Sequence, residues 1–111
     1  MFLQQKIHFI GIGGIGMSAI AKILFQKGFK ISGSDQNENL IVKDLKKKGV
    51  KVFNFHSISN VDDVDIVVYS SAIRKNNVEL KAAKKRKIPT FSRAMMLAEV
   101  MRLKPSITVA G

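Results

Sequence analysis

The 111-residue chain has no cysteine, no tryptophan and two histidines, and none of its apolar runs approaches the roughly 18 residues that a membrane-spanning helix needs. Without cysteine there is no disulfide, no thiolate metal site and no cysteine nucleophile. His8 and His56 are too few for a histidine-based metal centre. The opening Met-Phe-Leu-Gln-Gln-Lys lacks the basic and long apolar regions of a secretory signal, so the cytoplasm is the expected compartment. Acid is scarce as well: 8 Asp and Glu stand against 19 Lys and Arg, a formal charge of +11. Such an excess attracts anions of every kind, from nucleic acid to acidic lipid to a phosphorylated small molecule, and does not choose among them. Its clusters, Lys46-Lys47-Lys48 and Lys81, Lys84, Lys85, Arg86, Lys87, fall at the ends of amphipathic segments and read as solvated helix faces at the negative end of the dipole. No nucleic-acid motif or aromatic interleaving accompanies them, so neither nucleic acid nor membrane is an expected partner. No catalytic triad, carboxylate dyad or metal-ligand cluster is present, and no catalytic residue is assigned.

What is present is material for one globular domain, with 46% hydrophobic residues and a mean hydropathy of +0.08. Apolar runs at 6–10, 29–33, 50–53, 64–69, 88–91 and 106–110 predict strands. Helical periodicity predicts helices over 15–26, 39–48, 78–86 and 93–103, with a short helical turn between 54 and 63. In the last helix Ala94, Leu97, Ala98 and Met101 share one face, and Met95, Met96 and Met101 read as packing residues. Strands alternating with helices imply an α/β fold: a Rossmann-like doubly wound sheet of five to six mainly parallel strands, with helices on both faces. A buried strand ending the chain at Gly111 is the expected mark of a cut at a domain boundary.

Between the first strand and first helix lie Gly11, Gly13, Gly14 and Gly16. A G-x-G-x-x-G turn in that position allows a tight bend, a close approach of backbone to a diphosphate and close helix packing, and it aims helix-start amides at the anion. Asp35 follows Gly16 by 19 residues at the end of the second strand. It reads either as an acceptor for ribose hydroxyls or as a turn residue capping the next helix. Ser70, Ser71 and Ala72 end the fourth strand, beside the crevice of such a sheet, and read either as phosphate or sugar ligands or as a serine-rich helix entry. Ser18 faces the same choice. His56 and Arg93 are further polar candidates near strand ends, Arg93 being a cation at a helix start that calls for a compensating anion. From these residues alone, a module binding NAD stays open beside other nucleotide ligands.

The segments His8 to Ser18, Ser32-Gly33-Ser34-Asp35, Ser70-Ser71-Ala72-Ile73, Asn77 to Leu80, Ile88-Pro89, Arg93 to Glu99 and Thr108 to Gly111 together resemble the N-terminal domain of the Mur ligase family of peptidoglycan synthesis. The resemblance implies that residues 1–111 form a single Rossmann-like domain holding the UDP of UDP-N-acetylmuramic acid. The site it suggests comprises Gly11, Gly13, Gly14, Ile15, Gly16, Met17, Ser18, Asp35, His56, Ser70, Ser71, Ala72 and Arg93. It further implies an ATP- and magnesium-dependent ligase that joins L-alanine to that substrate, with the ATP and amino-acid sites on domains beyond this one. Two positions depart from the family pattern: Phe55 stands where glycine is usual before histidine, and Met95 where an acid commonly follows Arg-Ala.

Overall fold

The computed structural model describes residues 5–102. The expected strand at 106–110 lies outside them. Five strands, β1 (Lys6–Ile10), β2 (Lys30–Ser34), β3 (Lys51–Phe53), β4 (Ile66–Tyr69) and β5 (Thr90–Ser92), form one parallel sheet in the order β3-β2-β1-β4-β5. Three of the four described helices, α1 (Ile15–Gln26), α2 (Leu40–Lys47) and α3 (Val78–Lys85), lie between them, and α4 (Arg93–Arg102) follows β5. A short 3-10 helix at Ile58–Val61 precedes β4. β1 is central, and the chain leaves it towards β2 on one side and returns to β4 on the other. The carboxyl end of β1 is therefore the switch point at which a crevice opens.

Both faces of the sheet are covered. Ile7, Phe9, Ile31 and Val68 pack with Met17, Ile20 and Leu24 of α1, Leu45 of α2 and Met96 and Val100 of α4. On the other face Ile10 and Val67 meet Leu80 and Ala83 of α3 and Val61 of the 3-10 helix. The near-continuous apolar β4, Ile-Val-Val-Tyr, suits a strand covered on both sides. None of the described helices is long and apolar enough to cross a membrane.

β1 begins where the apolar pattern predicts, whereas β2, β3 and β5 begin one or two residues later, because each preceding helix exit uses the next amides. Phe29 N–H donates back to Leu24 O (3.2 Å), Val50 N–H to Leu45 O (3.0 Å) and Ile88 N–H to Ala83 O (2.8 Å). Satisfying the last helical carbonyls takes those residues out of the ladder. The buried stripe of α4 also differs from the predicted face. Met96 and Val100 are buried, whereas Ala94, Met95, Leu97, Ala98 and Met101 are exposed. A helix that meets α1 along a narrow seam buries one residue per turn, not the whole apolar arc.

Candidate nucleotide-binding cleft

β1 bends at Gly11, whose φ of +83° lies in the left-handed region that glycine adopts without a Cβ clash. The bend is tied to β2, since Gly11 and Ile12 both donate their N–H to Ser34 O, at 2.8 and 3.1 Å. Gly13 N–H donates to Asp35 Oδ2 (2.8 Å), and Asn37 N–H donates to Asp35 Oδ1 (2.9 Å). A Cβ on Gly13 would sit 2.7 Å from Asp35 Oδ2 and 2.9 Å from Val42 Cγ2, so this contact requires glycine. Asp35 thus staples the glycine turn to the end of β2. The cap of α2 is Asn39, whose Oδ1 accepts from Val42 N–H at 2.9 Å.

α1 begins differently from its neighbours. Its N-cap is Gly14, with no side-chain cap and no acid in the first turn. The first bond into the helix is Ser18 N–H to Gly14 O (2.8 Å), so the amides of Ile15, Gly16 and Met17 have no acceptor within the helix. By contrast, Asn77 Oδ1 accepts from both Glu79 and Leu80 N–H at α3, and Ser92 Oγ accepts from Met95 N–H at α4. Arg93 lies across Gly16, where a Cβ would come within 3.0 Å of its Cδ and 3.2 Å of its Nη1. Among the described residues Arg93 has no acidic partner. Bare amides, the positive end of a helix dipole and an unpaired guanidinium therefore meet at one place.

A cleft of about 420 Å³ opens over this turn. It gathers Gly11, Gly13 and Gly14, Asp35 and Asn39 from beyond β2, His56 from beyond β3, and Ser70 and Ala72 from beyond β4. Of the other residues expected in a site, Ile15, Gly16, Met17, Ser18, Ser71 and Arg93 do not line it. Met17 and Ser18 are buried, and Ser18 Oγ donates to Ile15 O (2.9 Å), so their side chains belong to the core and their backbone alone faces the helix start. Ser70, Ser71 and Ala72 do not enter a helix. Ser70 Oγ accepts from Ala72 N–H (3.0 Å), forming a tight turn several residues before α3. Among the described residues no three His, Cys, Asp or Glu side chains are grouped to hold a metal ion.

Beneath the cleft lies a carboxylate that the sequence did not mark as a site residue. Glu79 is fully buried. Its Oε1 accepts from His8 Nε2 (2.7 Å) and Ser34 Oγ (2.7 Å). Its Oε2 accepts from Asn60 Nδ2 (2.9 Å), Ser57 N–H (3.1 Å) and His56 Nδ1 (3.3 Å). Burial by itself would push this carboxyl up. The hydrogen bond and charge of His8, with the bonds from Ser34 and Asn60, outweigh it and hold the pKa at about 2. The signal available in the sequence was His8: a histidine inside an apolar strand needs a buried partner.

A model described as Mur ligase family, catalytic domain, matches residues 6–105. The UDP-N-acetylmuramate–L-alanine ligase of Bdellovibrio bacteriovorus is 56% identical over 112 residues, covering 100% of this chain and 25% of the relative. That of Aquifex aeolicus is 52% identical, covering 96% and 24%. The solved UDP-N-acetylmuramate–alanine ligase of Thermotoga maritima superimposes with a TM-score of 0.88 at 35% identity, covering 92% of this chain and 24% of that one. The chain thus spans about a quarter of the length of the relatives it matches. Because the match takes in the glycine turn, the strand ends and every helix around the cleft, the chain belongs to the Mur ligase family.

Proposed function

We propose that this chain is the part of a UDP-N-acetylmuramate–L-alanine ligase that holds the UDP of UDP-N-acetylmuramic acid. The diphosphate would rest on the bare amides at the start of α1. The observation that carries this reading is that start itself: of the four helices it alone lacks a side-chain cap, at the mouth of a cleft and beside an unpaired Arg93. A diphosphate supplies both the missing acceptors and the missing negative charge. Gly13, Gly14, Asp35, His56, Ser70 and Ala72 would shape the remainder of the pocket. Ile15, Gly16 and Met17 would act through their amides, and Ser71 and Arg93 from outside the lining. L-Alanine, ATP and magnesium belong in this reading to the parts of the relatives that this chain does not span. No residue here is assigned to the bond-forming step. A cytoplasmic location fits a ligase that uses these soluble substrates.

An NAD-binding role has less support, because the relatives that match nearly the whole chain are UDP-N-acetylmuramate–L-alanine ligases. Titration calorimetry separates the two. The expected result is saturable heat with UDP-N-acetylmuramic acid and with UDP, and no displacement by NADH. Absence of heat at about 1 mM, where a complex worth roughly 4 kcal/mol would be half formed, would overturn the proposal.

A further inference from the structure

Glu79 touches nothing in the cleft, yet it holds the one imidazole that does. We propose that Glu79 is a positioning residue: by fixing the hydrogen of His56 at Nδ1, it presents His56 Nε2 to the bound nucleotide as a bare acceptor. The inference rests on the UDP reading above for what fills the cleft, and on the hydrogen-bond count for everything else.

The count is short. An ionised carboxylate can only accept, so each polar atom at hydrogen-bond distance from Glu79 must donate to it. Ser34 has one hydroxyl hydrogen, and the 2.7 Å contact from Oγ to Glu79 Oε1 uses it. Ser34 Oγ can then only accept from His56 Nδ1, 3.1 Å away. Nδ1 therefore carries a hydrogen, shared between Ser34 Oγ and Glu79 Oε2 at 3.3 Å. In the neutral ring Nε2 is left bare. This is the less populated form of a free histidine side chain, and its selection here follows from the partner on the other nitrogen.

Among the described residues His56 Nε2 has no protein partner, and no buried side-chain nitrogen or oxygen lacks one. Nε2 is therefore open to solvent, and the open side of His56 is the cleft. The groups around the ring come from every neighbouring element. Glu79 from α3 and Ser34 from β2 lie behind it, His8 of β1 meets the same carboxylate, and Asp35 lies across the cleft. Asn60 Nδ2 and Ser57 N–H also donate to Oε2, so the carboxylate cannot turn away without stranding buried donors. A bare ring nitrogen selects a ligand donor, and among the parts of a nucleoside diphosphate these are the sugar hydroxyls and the base N–H, not the phosphates. His56 would then read the nucleoside while the start of α1 reads the diphosphate.

The test has two independent arms. The first needs no ligand: nitrogen-15 NMR of the imidazoles at a pH where His56 is neutral should show hydrogen on Nδ1 and none on Nε2 in the unsubstituted chain. In Glu79→Gln the ring should shift towards the Nε2–H form. Hydrogen on Nε2 in the unsubstituted chain overturns the proposal, as does an unchanged ring in a folded Glu79→Gln. The second arm is calorimetry with UDP-N-acetylglucosamine, whose diphosphate diester does not titrate near neutrality. His56→Asn keeps a donor at the Nδ1 position and deletes Nε2, so it should fold and bind at least about tenfold more weakly, the worth of one hydrogen bond. His56→Gln, which restores a polar atom near Nε2, should recover part of that loss. Binding by His56→Asn equal to that of the unsubstituted chain overturns the proposal. If the unsubstituted chain binds no UDP-sugar, the nucleotide reading falls, and the NMR arm still decides whether Glu79 sets the ring.

Discussion

Asp35 and Glu79 are two carboxylates behind one cleft, and they are held in opposite ways. Asp35 is partly exposed, and each of its oxygens takes one backbone N–H, from Gly13 and from Asn37. Glu79 has no exposure, and five donors from three segments, β1, β2 and residues 56–60, converge on it. The partly exposed acid shapes a turn at the cleft and leaves the lining open. The buried acid has every lone pair engaged, because an ion out of water costs several kcal/mol unless it is fully hydrogen-bonded. One cleft thus has a rim that can exchange partners and a floor that cannot.

The contrast breaks first at the floor. Glu79→Ala would strand the hydrogens of His8, Ser34 and Asn60 and should cost about 3–5 kcal/mol in urea unfolding. A cost no larger than that of Asp35→Ala would remove the distinction between floor and rim. Acid probes the same group without mutation. The folded pKa of Glu79, about 2, lies below the ordinary glutamate value of 4.5. Its contribution, on the order of 3 kcal/mol, is therefore complete above pH 4.5 and is lost as the pH falls from there towards 2. Glu79→Gln should flatten that part of the stability curve, measured by urea midpoints at a series of pH values.

At the rim the expected effects are smaller. Gly13→Ala would drive a methyl group against Asp35 Oδ2 and Val42 and should cost about 1–3 kcal/mol, with weaker UDP binding by calorimetry. Asp35→Ala, which frees an exposed backbone donor at Asn37 and a part-buried one at Gly13, should cost about 1–2 kcal/mol by the same unfolding measurement. If it costs more than Glu79→Ala, the ranking of the two acids is reversed.

Much of the fold was legible because local pattern and global fold agree. The periodicity from 15 to 26 bounds α1 to the residue, and alternation of strands and helices leads to the parallel sheet. The errors have local causes. Phe29, Val50 and Ile88 look like strand residues and serve instead as the amides that close the preceding helices. Within the site, the glycine turn and Asp35 could be read because their spacing is short and their geometry is set by backbone. Glu79 could not be found that way. In the sequence it is a first-turn acid on a basic helix, a pattern that usually means solvent, and its partner His8 lies 71 positions away. No local signal measures that distance; it is created when β1 and α3 pack.

The bare start of α1 has a thermodynamic consequence. A domain that leaves three amides and a guanidinium without a counter-charge among the described residues is folded but not finished, and on the proposed function the anion that docks there would complete the fold as a cap would. Folding and the proposed nucleotide capture would then draw on the same atoms, each strengthening the other. At a hundredfold excess of ligand over its Kd the native state gains about 2.7 kcal/mol, a large share of what holds a domain of this size together. The melting temperature of this chain would then report how much nucleotide substrate surrounds it.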